Sequence, residues 1–203
     1  MTPHRSREGV LFLCSQLGIG GAERLWASLI PALQSRGVPV ELIAVNRGGE
    51  TFDALKARGI PAEFLAAGDG AAALRSLPTL VNRIRSTRPG AILAFGTSSF
   101  ALAAITGRLT GTPAVLNWHQ QVGREWQGVE GTACRIAARL GAGVICVSND
   151  NVPDIVALGF AESRVRTVHN GVPSPEGGAR QATNDSDGSL TACLVARLVP
   201  VKR

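Results

Sequence analysis

Short apolar runs alternate with amphipathic helical stretches along nearly all of this 203-residue chain, and that alternation leaves few folds open to it. The runs at 10–14, 40–45, 62–65, 91–95, 114–118, 144–147 and 165–169 have the length of buried strands. Helices are expected between them, at 22–35, 51–57, 77–86, 99–109, 131–140 and 149–158. In the first, Ala22, Leu25, Trp26, Leu29, Ile30 and Leu33 recur at steps of three and four and make one apolar stripe. Pro31 is expected to kink that helix near its last turn. Repeated strand–helix–strand units call for right-handed crossovers and a parallel sheet covered on both faces. The expected fold is therefore α/β, a Rossmann-like doubly wound sheet over residues 1–172.

One junction occurs twice. Arg36-Gly37-Val38-Pro39 and Arg58-Gly59-Ile60-Pro61 each place a glycine just past a helix and a proline at a strand entrance. The glycine suits the left-handed position that ends a helix, and the proline sits where no ladder donor is needed. These are two copies of a connection, not a repeat architecture. After Val172 the composition turns to Pro, Ser, Gly, Asn and Asp, so 173–188 reads as a linker. A strand at 190–196 and a basic tail follow, and 189–203 reads as the start of a truncated carboxy-terminal domain.

Hydrophobic residues at 45% and charged ones at 18% describe a folded globular chain. The net charge is +6, carried by 19 Arg and only two Lys. The one dense basic stretch, Arg75, Arg83, Arg85 and Arg88, fits a solvated helix face. It also fits attraction to phosphate-bearing ligands or an anionic membrane surface, so peripheral membrane contact stays open. Nucleic acid is not an expected partner, because aromatics at 4% provide no stacking platforms. Cys14, Cys134, Cys146 and Cys193 lie far apart with no C-x-x-C pair, which suggests neither a metal site nor a disulfide framework. No run approaches the ~20 apolar residues of a membrane span, and the run at 10–14 is too short for a signal-peptide core. The expected location is the cytoplasm.

Several strand ends carry residues suited to chemistry. The first runs into Gly18-Ile19-Gly20-Gly21-Ala22-Glu23, a turn that lets backbone amides and a helix amino end approach a phosphate or a sugar. The dinucleotide fingerprint G-x-G-x-x-G fails here. Glu23 stands at its third glycine, and Asn46 ends the second strand where a ribose-binding acid is wanted. A tight turn serving only packing is the plain alternative. Asn117-Trp118-His119-Gln120 ends the fifth strand, and ligands gather beyond such ends, so His119 is either a site residue or a structural one. Ser148 caps the following helix or meets a ligand, and Asn170 belongs to an Asn-Gly turn or to a site. Arg197 and Lys202 supply a fork and a point charge suited to a diphosphate, although basic tails are common.

Taken together these strings resemble the family 4 glycosyltransferases, retaining enzymes of the GT-B fold. Gly20-Gly21-Ala22-Glu23-Arg24, followed by Leu33, Arg36-Gly37 and Val40, resembles the family's opening. Val144-Ile145-Cys146-Val147-Ser148, Leu158-Gly159-Phe160, Arg164-Val165 and Val168-His169-Asn170-Gly171-Val172 resemble its middle. The segment from Val195 to Lys202 resembles the opening of its second domain, with Ala196 where Gly is usual and Val201 where Glu is frequent. The resemblance implies that Arg197 and Lys202 bind the diphosphate of a nucleotide-diphosphate sugar. It implies that the Gly20–Gly21 turn faces that donor across an interdomain cleft, and that His119 contacts the transferred sugar. It further implies no metal or cofactor, and a glycan, lipid or small-molecule acceptor whose hydroxyl is glycosylated with retention. Family members carry the nucleotide pocket and a pair of glutamates eight residues apart in the second domain, so little or no activity is expected from 203 residues alone. Two other readings remain: a non-catalytic module binding an acceptor or partner, and a different nucleotide-dependent enzyme such as an epimerase or dehydrogenase.

Overall fold

The computed structural model describes residues 8–65, 70–118 and 128–171. Seven strands form a single sheet among them: β1 Val10–Cys14, β2 Val40–Ala44, β3 Ala62–Phe64, β4 Ala91–Phe95, β5 Ala114–Trp118, β6 Gly143–Cys146 and β7 Val165–Thr167. Every neighbouring pair is parallel, in the order β3-β2-β1-β4-β5-β6-β7. The helices are α1 Gly21–Ser35, α2 Glu50–Ala57, α3 Leu77–Thr87, α4 Thr97–Thr110, α5 Gly128–Arg139 and α6 Val152–Ala157. The Rossmann-like doubly wound sheet expected from the sequence is the fold observed. Pro31 lies inside α1 without ending it.

Alternation along the central strands divides the core into two layers. Phe12 and Cys14 of β1, with Leu42 and Ala44 of β2, point to the face covered by α1 and α2, where Trp26, Ile30, Phe52 and Leu55 complete one cluster. Leu11, Leu13, Ile43, Ile92, Ala94, Leu116 and Trp118 point the other way, into a cluster built with Leu80, Ile84, Phe100, Cys134 and Ile155. A strand buried on both faces has to be apolar throughout, which is why β1 reads as an unbroken hydrophobic run.

The duplicated junction closes α1 and α2 in the same way. Gly37 has φ +78° and Gly59 φ +82°, the left-handed conformation expected of them. The Gly37 amide donates to Gln34 O and that of Val38 to Leu33 O; Gly59 and Ile60 repeat the pattern on Lys56 and Leu55. This paired bonding satisfies carbonyls that a helix end otherwise leaves open. The basic stretch lies on exposed surface, and Arg83 forms an ion pair with Glu41. That is the solvated face the sequence allowed for.

Candidate functional site

In an open parallel sheet, ligands collect where the strand order reverses, beyond the carboxyl ends. Here the order runs outward from β1 through β2 and β3 on one side, and from β4 to β7 on the other, so the reversal lies between β1 and β4. The glycine turn leaves β1 at that point, and Gly96 leaves β4 beside it. A Cβ on Gly96 would stand 3.2 Å from Ser15 Oγ, so the two strand ends approach closely.

The turn is held by the neighbouring β2–α2 loop. The Leu17 amide donates to Gly48 O at 3.1 Å, the Phe52 amide to Leu17 O at 3.2 Å, and Thr51 Oγ1 to Gly18 O at 2.6 Å. Arg47 Nε adds a bond to Gln16 Oε1 at 2.6 Å. Carbonyls 17 and 18 are thereby turned toward α2, and the chain enters α1 through Gly20 in extended conformation. Gly20, at the N-cap of α1, offers no side chain to cap the helix. Glu23 sits in its first turn, and its Oε2 lies so close to Gly20 that a Cβ there would overlap it. A carboxylate at this place stabilises the helix dipole, but it also offsets the positive end that would draw a phosphate.

Beneath the turn, Cys14 is buried, and its thiol is pushed up to about 12, first by burial and then by the Glu23 carboxylate. Since the folded value lies above the unfolded one, the unfolded chain loses this proton first as the pH rises. The stability is fully present below pH ~9 and falls above it by at most about 1.4 kcal/mol per pH unit. Unfolding midpoints measured from pH 8 to 11 should show this slope in the native chain and lose it in Cys14→Ala.

Cys14, Phe95 and Asn117 lie side by side on one face at the carboxyl edge. Asn117 is 7% exposed, and its Oδ1 has no hydrogen-bond partner among the described residues. Trp26 packs on Phe95 at a centroid distance of 5.1 Å, and its Nε1 is likewise buried without a partner among them. Sequence reading passed over both residues, because an Asn inside an apolar strand and a Trp on an apolar stripe look like core. A groove of about 240 Å³ opens beside the turn between α1 and α2, lined by Ile19, Arg24, Glu50, Thr51 and Arg58 among others.

The other expected site residues fall differently. Ser148 accepts the Asp150 amide at 3.2 Å and so caps the short 3-10 helix Asn149–Asn151. Asn170 is exposed beyond β7, and His169 Nδ1–H donates to Val147 O at 3.0 Å, the carbonyl fixing that nitrogen as the donor. Four strand spacings separate β7 from β1, about 19 Å. Asn170 is therefore not brought to the glycine turn within this domain. His119, Arg197 and Lys202 lie outside the described residues. Among the described residues no group of three or more His, Cys, Asp or Glu is placed to hold a metal ion, and no helix is long and apolar enough to cross a membrane.

Comparison with known proteins bears on both fold and family. The chain is similar to the crystal structure of HepE from Anabaena in complex with UDP-glucose, with TM-score 0.65 and 20% identity, over 82% of this chain and 44% of that one. It is similar to the lipopolysaccharide outer core galactosyltransferase WaaB in its apo form, with TM-score 0.62 and 16% identity, over 84% and 50%. A UDP-N-acetylglucosamine 2-epimerase from Rickettsia bellii matches with TM-score 0.57 and 13% identity, over 81% and 45%, so the fold alone does not decide the reaction. The chain thus spans about half the length of these structures. No curated protein sequence matches it. The sequence profile described as Glycosyltransferase Family 4 matches residues 19–174, from the glycine turn past the end of β7, and the chain belongs to that family.

Proposed function

We propose that this chain is the acceptor-side half of a transferase that moves a sugar, with retention, from a nucleotide-diphosphate sugar to an acceptor hydroxyl. The observation that carries the reading is the family match, which covers the glycine turn at the point where the strand order reverses. HepE has been solved with UDP-glucose, and a uridine diphosphate sugar is accordingly the donor class proposed. The turn and Gly20–Gly21 would face the donor, and the groove between α1 and α2 would take part of the acceptor. His119 would contact the transferred sugar, and Ser148 and Asn170 would meet donor or acceptor groups.

Charge grows on the leaving diphosphate as the glycosidic bond breaks. With Glu23 offsetting the amino end of α1, that charge falls to Arg197 and Lys202, without a metal or cofactor. A preorganised donor of this kind is worth about 3–4 kcal/mol, so Arg197→Ala should slow transfer by a hundredfold or more. Closure of a second domain would align the substrates and exclude water. Because the match reaches only about half of the solved relatives, the 203 residues alone should turn over little donor. The enzyme would act in the cytoplasm, with peripheral contact to a membrane when the acceptor is a lipid.

The test is a labelled UDP-sugar assay on the full-length gene product and on the 203-residue chain. Transfer by the former, abolished by Arg197→Ala, supports the reading. No transfer from any UDP-sugar would remove it, and equal turnover by the short chain would remove the divided site. The half-length match favours one rival, a non-catalytic acceptor-binding module. That module binds glycosides and shows no transfer at any length.

A further inference from the structure

A second cavity lies at the opposite edge of the sheet, where β5, β6 and β7 begin. It measures about 530 Å³, within the range of small-ligand sites, and the carboxyl ends of α4 and α5 border it. Arg108, Arg164 and Arg166 line it together with Ser163, and among the described residues no acid does. The plain reading is that these arginines serve the helix ends. Arg164 Nη1 does donate to Gly141 O just beyond α5, and Arg166 Nη1 donates to Val165 O at 2.9 Å.

Magnitudes decide against that reading as a full account. Each helix carboxyl end carries roughly half a negative charge, so two of them offset about one of the three guanidiniums. About two positive charges remain. Each guanidinium carries five N–H donors, and one bond apiece leaves Arg164 and Arg166 with spare ones. Arg108 is exposed, and its guanidinium makes no hydrogen bond among the described residues. Spare planar donors around a cavity whose described lining holds no acid are suited to phosphate oxygens.

We infer that this cavity binds a phosphate-bearing ligand, at a site separate from the switch-point crevice and independent of the transfer reaction. The ligand is either a soluble phosphate compound or the phosphate of a lipid headgroup. Both offer the same anionic oxygens to Arg108 and Arg166.

The probe is inorganic pyrophosphate, titrated calorimetrically into the 203-residue chain at low salt. Arg108→Ala with Arg166→Ala should weaken binding tenfold or more, since charge-assisted bonds are lost. Arg197→Ala with Lys202→Ala should leave that binding in place. Arg164 is retained because it closes α5, and thermal melts verify that both double variants fold. Sedimentation with phosphatidylglycerol vesicles identifies the source. Loss of sedimentation in the Arg108/Arg166 variant assigns the lipid headgroup, while pyrophosphate binding without sedimentation assigns a soluble phosphate. An absence of pyrophosphate binding overturns the inference, and so does binding removed only by the Arg197/Lys202 changes.

Discussion

Replacing Trp26 by alanine is expected to cost about 3–5 kcal/mol, a large part of what holds a domain of this size together. Trp26 has no exposed surface and joins α1 to two strands at once. It meets Phe12 edge-on, with centroids 4.9 Å apart and planes at 78°, and Phe95 at 5.1 Å. Alanine removes both contacts and leaves a hole that a helix pinned at each end cannot collapse into. Phenylalanine should cost much less. It keeps an aromatic ring between the two partners and removes the indole N–H, which has no partner among the described residues and carries a desolvation penalty of about 1–3 kcal/mol. Urea unfolding with an unchanged m-value measures both. A loss below about 1 kcal/mol in Trp26→Ala would contradict the packing described.

The second large effect is expected at Gly49, which lies in no strand and touches no proposed substrate. Its φ of +126° and ψ of 167° belong to a region essentially closed to other residues. A Cβ there would stand 2.5 Å from Leu17 O and 3.1 Å from Gly18 Cα, both backbone atoms of the glycine turn. Gly49→Ala must therefore push that turn away from α2. Strain and overlap together should cost about 3 kcal/mol. For the transfer proposed above, a displacement of this kind should lower kcat/KM on the order of a hundredfold. Gly21→Ala is the contrast, because nothing lies within 4 Å of its Cβ and its φ is ordinary. Its melting temperature should not move, so any loss of activity there reports on ligand approach alone. If Gly49→Ala melts like the native chain, the two loops are not latched as described.

Strand positions were legible because each apolar run had no amphipathic rival, and β1, β4 and β5 match their expected bounds. The amino ends of several helices were less legible. α1, α2 and α4 start one or two residues early, after Gly20, Gly49 and Gly96, which offer no side-chain cap to read. The 3-10 segment Gly70–Ser76 was missed because Gly-Ala-Ala-Ala shows no periodicity. The glycine turn was visible as a candidate, whereas its support was not. Strand order is not written in local pattern, and without it nothing links Gly48 and Gly49 to Leu17, or Asn117 to Phe95. Ser148 was readable in both its roles, and the structure displays the capping one.

The place of β1 inside the sheet, between β2 and β4, also bears on how the chain is made. Its partner β4 is encoded about eighty residues after it, and at ribosomal rates of about 5–20 residues per second the interval is on the order of ten seconds. Parallel neighbours need a crossover, so no hairpin shields the strand in the meantime. Every nascent copy thus presents a bare, greasy ribbon edge while its neighbour is still unwritten, the kind of surface that holding chaperones engage.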